Sequence, residues 1–217
     1  MDLTDLLAQN LPEHAVYLAN KPSGISSFAV VYKLRNTLTK QHGRKIKVGH
    51  CGTLDPIATG LLILVTGKLT KRAGELTKMD KIYEAEATLG SASSTYDSEG
   101  QLSPVSTRKP SLSEVKTQLI KFKGKIEQTP PAFSAIKING KRAYKLAREG
   151  KEVKIEPRQV EIYSTQLIKY AYPKITFRVH VSSGTYIRSL INDLGNNLGV
   201  GAHMSALRRT QIGKYKL

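Results

Sequence analysis

Residues 44–67, RKIKVGHCGTLDPIATGLLILVTG, join a basic, glycine-rich segment to an uninterrupted apolar run. The run from Leu61 to Val65 has the length and composition of a strand that is buried on both faces. The glycines and Pro56 before it are typical of a loop. The segment therefore predicts a loop that leads directly into a buried strand.

Upstream of this segment, residues 26–41 predict a helix that Ser26 or Ser27 can cap. Its apolar residues recur at helical spacing, at Phe28, Val31, Leu34 and Leu38. Gly43 follows as a stop signal.

Downstream, residues 82–89 alternate with period two and predict a strand with Tyr83 on its apolar face. Residues 111–114, Ser-Leu-Ser-Glu, form a capping box that starts a helix. The other predictions are helices over 68–78, 142–149 and from near Thr185, strands within 124–139 and over 158–170 and 174–182, and a loop over 91–110. Because strands and helices do not alternate strictly, we expect an α+β fold, with a largely antiparallel mixed sheet flanked by helices, in a single domain over residues 1–217.

The charge balance indicates a polyanionic partner. Lys and Arg number 34 against 17 acidic residues, which gives a net charge of +17. Cations that neutralise phosphates release condensed counterions, so this excess favours nucleic acid. An anionic membrane surface, an acidic protein or a merely well-solvated surface would also agree with the charge alone.

Several classes of protein are disfavoured. The single Cys51 excludes an internal disulfide and a zinc site of several cysteines. No apolar run approaches the length of about 18 residues that a membrane-spanning helix needs, and the N-terminus lacks the pattern of a secretory signal. The five histidines show no metal-ligand spacing. We therefore expect a cytoplasmic protein with no membrane association and no bound metal.

Asp55 stands out against this basic background. It is the only acidic residue among residues 14–74, a stretch that carries ten lysines and arginines. A surface that binds phosphates should exclude carboxylates, because each one repels the ligand. An Asp before Pro56 also favours a turn, but that explains less well why the one carboxylate lies in this loop. The pattern indicates a chemical role for Asp55.

The same segments resemble a known family. Residues 48–60, VGHCGTLDPIATG, resemble the GHxGTLDPxATG signature of TruB pseudouridine synthases. Further matches are residues 20–27 (NKPSGISS), 81–83 (KIY), 129–150 (TPPAFSAIKINGKRAYKLAREG), 182–190 (SSGTYIRSL), 201–203 (GAH) and 207–209 (LRR). Because these motifs occur in order along most of the chain, the resemblance implies the pseudouridine synthase catalytic fold with its RNA-binding loops.

The resemblance implies three catalytic residues. Asp55 is the essential carboxylate, which acts beside the ribose either as a nucleophile or by stabilising an intermediate. Arg188 pairs with that carboxylate and keeps it ionised. Tyr83 packs on the target base and can take a sugar proton, although its pattern also fits a core aromatic residue.

It also implies a set of substrate-binding residues. His50 enters the RNA loop and fills the space left by the flipped uridine, although a lone histidine is more often structural. Lys21 supports the active-site loop or contacts a phosphate, and Leu207 is a wall for the base or an ordinary core leucine. Gly52 and Thr53 of the signature motif complete the set.

The implied activity is isomerisation of a uridine in the T-loop of tRNA, at position 55 of the conventional tRNA numbering, without any cofactor. The expected partner is therefore the tRNA T-arm, bound by a monomer. Phe133 stands where the family often has Tyr, which keeps the ring. A C-terminal PUA-type RNA-binding module is expected to be absent, which places affinity and substrate range in doubt.

Three alternatives share some of these features. A phosphate-binding loop at Gly60…Gly67-Lys68 fails, because Leu69 stands where Ser or Thr is required. A non-catalytic basic RNA-binding module would explain the charge but not the isolated Asp55. A pseudouridine synthase acting on another RNA, such as the relatives that work in guide-RNA particles, shares the GTLDP motif.

Overall fold

The computed structural model describes residues 2–138, 140–151 and 153–217. The chain forms two compact units, Met1–Glu84 with Ala206–Leu217, and Ala85–Ser205. The helices are α1 Leu3–Leu7, α2 Ser27–His42, α3 Ala73–Lys78, α4 Leu112–Lys121, α5 Ala143–Arg148 and α6 Ile187–Asn197, with a 3₁₀ helix Gly67–Arg72 before α3. The strands are β1 Val16–Lys21, β2 Val48–His50, β3 Thr59–Thr66, β4 Lys81–Leu89, β5 Ser91–Ser93, β6 Leu102–Pro104, β7 Gly124–Gln128, β8 Lys137–Ile138, β9 Lys141–Arg142, β10 Arg158–Ala171, β11 Lys174–Val181, β12 Ala202–Ile212 and β13 Tyr215–Lys216.

Strand β3 is the centre of the first unit. It pairs antiparallel with β1 and β2 and parallel with the Arg208–Arg209 part of β12. Leu62 and Leu64 pack against α2 in one apolar cluster, whereas Leu61, Ile63 and Val65 belong to a second cluster. The strand is therefore buried on both faces, which confirms the prediction from its continuous apolar run.

Helix α2 confirms the predicted caps but not the whole predicted face. The Ser26 side chain accepts a hydrogen bond from the Ala29 amide at 3.1 Å, and Gly43 ends the helix in the left-handed conformation. The residues that face the core are Ser27, Val30, Val31, Leu34 and Leu38. Phe28 was predicted on the apolar face, and that prediction is wrong, because its side chain is 63% exposed. Val30 takes its place in the core.

The second unit is built on an antiparallel sheet in which β10 pairs with both β11 and β7. Helix α4 begins at Ser111 with the predicted capping box, because Ser111 and Glu114 each accept a hydrogen bond from the other's backbone amide. The predicted loop over 91–110 is partly wrong, since β5 and β6 pair there as a short hairpin. Strands β1, β2 and β12 and helix α1 were not predicted.

The α+β class with a largely antiparallel mixed sheet is confirmed by these pairings. Strands β4 and β12 each contribute residues to both units, and the single domain over residues 1–217 stays a prediction. Among the described residues, no helix is long and apolar enough to span a membrane.

Gly60, at the junction of the signature loop and β3, generates a stability prediction. Its φ is +101°, and a Cβ there would lie 2.9 Å from the Arg209 backbone nitrogen. We expect Gly60→Ala to lower the free energy of unfolding by at least about 2 kcal/mol through backbone strain and steric overlap. Thermal unfolding measures this as a shift of roughly 2–4 °C per kcal/mol.

Gly74 in α3 is the matched control, because its added Cβ would meet nothing within 4 Å and its φ is ordinary. Gly74→Ala should leave stability unchanged or raise it by up to about 1 kcal/mol. Equal melting temperatures for the two variants would contradict the close approach of Gly60 to β12.

Candidate functional site

The loop of residues 51–58, called the aspartate loop below, carries Asp55 between two buried anchors. Leu54 is 3% exposed and Ala58 is fully buried, whereas Asp55 itself is half-buried. The Ala58 amide donates to the Asp55 carbonyl at 3.1 Å, which closes a turn. The anchors on either side fix the backbone of Asp55 while its side chain keeps partial access to solvent.

A second segment, residues 21–27, is hydrogen-bonded to the aspartate loop. The buried hydroxyl of Ser27 donates to the Leu54 carbonyl at 2.9 Å and accepts from the Leu54 amide at 2.8 Å. Two more hydrogen bonds join the segments, from the Gly24 amide to the Pro56 carbonyl at 2.9 Å and from the Ser23 hydroxyl to the Ile57 carbonyl at 3.1 Å. The motifs 20–27 and 48–60 therefore form one hydrogen-bonded structure.

Lys21 is part of the same support. Its side chain is fully buried, and the ammonium group donates to the carbonyls of Pro22 at 2.8 Å, Ile25 at 2.7 Å and Pro56 at 3.1 Å. Of its two predicted roles, these contacts favour support of the loop, because a buried ammonium group that bonds the backbone does not reach an RNA phosphate.

Arg209 fixes the base of the aspartate loop from β12. Its side chain is 1% exposed, with Nε donating to the Leu61 carbonyl at 2.8 Å and Nη2 to the Gly52 carbonyl at 3.0 Å. One guanidinium group thus joins the start of the aspartate loop to strand β3, which follows it. Arg209 lies in the motif 207–209, but its role was not predicted, because a buried arginine cannot be told from a surface arginine in a basic sequence.

His50 precedes the aspartate loop at the end of β2. Burial, and next the positive charge of Arg209, lower the pKa of its imidazole, against a smaller opposing effect of a hydrogen bond to the Gly52 backbone. The ring is therefore held in its neutral form near neutral pH. A neutral, flat ring beside the aspartate loop agrees with the predicted contact with a base.

Three more predicted residues of the first unit lie on or beside its strands. Leu207 of β12 is 7% exposed, and its carbonyl accepts a hydrogen bond from the Thr59 hydroxyl at 3.3 Å. Thr53 is exposed, and Gly52 has a φ of +97° that favours glycine. The sequence motif 48–60 therefore places His50 at the end of β2, and Gly52, Thr53 and Asp55 in the aspartate loop that follows.

Tyr83 lies on the buried face of β4, as predicted, and is 8% exposed. Lys81 is on the same face, and its ammonium group donates to the carbonyls of Thr77 at 2.6 Å and of Met79. Burial, with the nearby charge of Arg209, lowers the pKa of Lys81 to about 8. This strand therefore brings a third buried cation, after Lys21 and Arg209, into the first unit.

In the second unit, Arg188 is buried at the start of α6. Its guanidinium donates to the carbonyls of Thr95 at 3.1 Å and Phe133 at 2.9 Å, and forms an ion pair with the Asp97 carboxylate at 3.3 Å. Asp97 is 2% exposed and also accepts from the Glu99 amide at 3.1 Å. Asp97 was missed because its segment was predicted only as a loop. The pairing of Arg188 with Asp55 stays a prediction.

The residues around Arg188 are positioned by the strand that ends at Gln128. The buried side-chain amide of Gln128 donates to the Tyr186 carbonyl at 3.0 Å and accepts from the Tyr186 backbone amide at 2.7 Å. The Ser189 hydroxyl donates to the Thr129 carbonyl at 2.8 Å. These bonds join the motifs 129–150 and 182–190, which are far apart in sequence.

Among the described residues, no three His, Cys, Asp or Glu side chains are grouped as a metal site would require.

Curated relatives match most of the chain. The tRNA pseudouridine synthase B of Protochlamydia amoebophila is 46% identical over 95% of this chain and 78% of its own length. The protein of the same name from Opitutus terrae is 42% identical over 93% of this chain and 82% of its own length.

Solved structures show the same fold. A chain in a crystal structure of a Cbf5–Nop10–Gar1 complex superposes with a TM-score of 0.69 at 29% identity, over 94% of this chain and 50% of that one. A chain in a structure of an H/ACA RNP bound to a substrate RNA containing 2′-deoxyuridine gives a TM-score of 0.66 at 27% identity, over 96% and 55%. This chain thus spans about half the length of those structures' chains.

Two family models match the sequence in succession. Residues 36–187 match the N-terminal domain of the TruB family pseudouridylate synthases, and residues 188–217 match the tRNA pseudouridylate synthase B C-terminal domain. The first match contains the aspartate loop, and the second begins at Arg188. The chain belongs to the TruB family of pseudouridylate synthases.

Proposed function

We propose that this chain isomerises a uridine of tRNA to pseudouridine, with Asp55 as the essential residue. The observation that carries the proposal is the aspartate loop, which presents the one carboxylate of residues 14–74 on a backbone fixed by Lys21, Ser27 and Arg209. The relatives named tRNA pseudouridine synthase B support tRNA as the substrate.

The reaction changes no atom count and no oxidation state. The bond between N1 of uracil and C1′ of ribose breaks, the base turns over, and a bond between C5 and C1′ forms. The proton on C5 is released, and N1 gains a proton. The reaction needs a carboxylate beside the ribose, which can bond to the substrate or stabilise the charge that develops on the sugar.

Tyr83 and Arg188 complete the proposed catalytic set, with Tyr83 against the target base and Arg188 as the partner of the Asp55 carboxylate. His50 is proposed to occupy the space that the flipped uridine leaves, a role that a neutral imidazole favours because stacking among bases needs no charge. Leu207, Gly52 and Thr53 are proposed to line the base pocket.

The proposed target is the T-loop of the tRNA T-arm at position 55, which folded-RNA shape would define more than a long sequence. We also propose that the protein works in the cytoplasm as a monomer. The non-catalytic RNA-binding alternative is disfavoured, because binding alone does not require a carboxylate at the centre of a basic segment.

The first functional prediction concerns Asp55→Asn. The substitution keeps the shape of the side chain but removes its charge and nucleophilicity, so turnover should be lost while tRNA binding persists. Release of tritium from tRNA labelled at C5 of uridine measures turnover, and filter binding measures the dissociation constant.

Asp5→Asn is the matched control for the first prediction, because Asp5 is an exposed carboxylate on α1 of the same unit. It should release tritium at the wild-type rate. Undiminished release by Asp55→Asn would refute the proposed function.

The second prediction separates the two roles of Arg188. Arg188→Ala leaves the buried Asp97 carboxylate without its cation, so we expect a loss of about 3–5 kcal/mol in the free energy of unfolding. If Arg188 also acts on the reaction, turnover per folded molecule should fall by about 100-fold or more, the usual effect of removing one electrostatic contact in an active site.

Asp97→Asn is the comparison, because it removes the same ion pair from the other side. It should lower the melting temperature but largely preserve turnover per folded molecule, measured well below both melting temperatures. Equal losses of turnover in the two variants would mean that Arg188 acts only through the Asp97 ion pair.

The third prediction concerns Lys40, Lys45 and Lys47, which are exposed beside the predicted RNA-binding loop. Replacing all three with Gln should weaken tRNA binding and flatten its dependence on salt, by about 0.7–0.9 in the logarithmic slope for each lysine that contacts a phosphate. Arg44 is left unchanged, because it already forms an ion pair with Glu13. An unchanged slope would place the RNA on another surface.

A further inference from the structure

The outer face of α2, defined here by Phe28, Tyr32, Lys33 and Arg35, carries two large apolar side chains in solvent. Phe28 is 63% exposed and Tyr32 is 55% exposed. They are separated by four residues on one helix, so their side chains are neighbours on its surface. Core packing explains neither residue, since the buried face of α2 is complete without them.

Arg35 connects this outer face to the strand that carries His50. Its guanidinium carbon lies 5.9 Å from the centroid of the Phe28 ring, and its Nη2 donates to the Val48 carbonyl at 3.4 Å. Val48 begins β2, and His50 ends it. The aromatic pair is therefore continuous with the surface that is proposed to receive RNA.

The charge of this face fits a polyanion. Helix α2 contains no acidic residue, and Lys33 lies exposed between Tyr32 and Arg35 in sequence. Phe28 follows Ser27 directly. The Ser27 hydroxyl is hydrogen-bonded to both the backbone amide and the backbone carbonyl of Leu54. The first ring of the pair therefore lies on the helix turn that also anchors the aspartate loop.

We propose that the outer face of α2 is an accessory RNA-binding surface, on which Phe28 and Tyr32 stack with unpaired bases of the tRNA substrate while Lys33 and Arg35 contact the adjacent phosphates. Flat aromatic rings bind bases of any sequence through stacking, and nearby cations hold the backbone. This inference rests on the proposed function for the identity of the RNA, but not for the stacking itself.

RNA fits this face better than a protein partner does. A protein interface of ordinary affinity buries roughly 800 Å² on each partner, whereas two rings flanked by cations form a small apolar area. The same pairing of exposed rings with Lys and Arg is the usual composition of a single-strand binding groove.

The test compares two double variants. Phe28→Leu with Tyr32→Leu keeps the face apolar but removes both rings, whereas Phe28→Tyr with Tyr32→Phe keeps both rings. For an unmodified tRNA transcript, the leucine variant should raise the dissociation constant by at least about 5- to 100-fold, the range expected for the loss of a single stacked base. The ring-exchange variant should bind like the wild type.

The salt dependence of binding supplies an independent readout. Because the leucine variant removes no cation, the slope of affinity against salt should stay at its wild-type value. Ultraviolet crosslinking of the wild type to the transcript should label a peptide that contains residues 28–32. Leu112→Ala with Ile120→Ala is the control for exposed apolar residues, since both lie on α4 in the other unit, and it should not change the affinity.

Two results would overturn the inference. One is a leucine variant that folds normally and binds tRNA as tightly as the wild type. The other is concentration-dependent self-association of the wild type that the leucine variant loses without any change in tRNA affinity, which would assign the face to a second copy of the chain. Failure of the proposed function differs from both, because it appears as absent tritium release by the wild type whatever the affinities.

Discussion

Hydrogen bonds from buried cations to backbone carbonyls hold the aspartate loop in place. Lys21 donates a hydrogen bond to the Pro56 carbonyl, and Arg209 donates to the Gly52 and Leu61 carbonyls. Removing such cations from water is costly, and the carbonyl dipoles provide the compensating interaction. The aspartate loop is thereby fixed on both sides of Asp55.

This use of carbonyls explains the charge pattern of the first unit. Backbone carbonyls accept hydrogen bonds from Lys21, Lys81 and Arg209. Because carbonyls carry no net charge, these contacts leave the positive potential of the unit undiminished. Asp55 can therefore be the single carboxylate of a long basic stretch, and the lowered pKa of His50 is a consequence of the Arg209 charge and of burial.

In the second unit, an acidic side chain helps to hold a buried cation. Arg188 is buried against a carboxylate, Asp97, as well as against two carbonyls. The ion pair fixes the guanidinium at the start of α6 and connects it to the hairpin loop and to residues 129–134. Arg188 is therefore a structural residue as well as a proposed catalytic one, so both stability and turnover have to be measured for its variants.

The sequence by itself determined the α+β class, the buried strand β3, the caps of α2 and α4, and the family, because periodicity, capping residues and ordered motifs are local properties of the chain. It also singled out Asp55, since a missing set of acidic residues is visible without coordinates. Only the tertiary structure decided that Lys21 and Arg209 are buried supports, that Arg188 pairs with Asp97, and that Phe28 lies in solvent rather than in the core. Helical spacing alone allows either Phe28 or Val30 to face inward, and a lysine or arginine carries no mark of burial. Which side chains lose contact with water depends on strands and loops brought together from distant parts of the chain, and local sequence patterns do not specify those contacts.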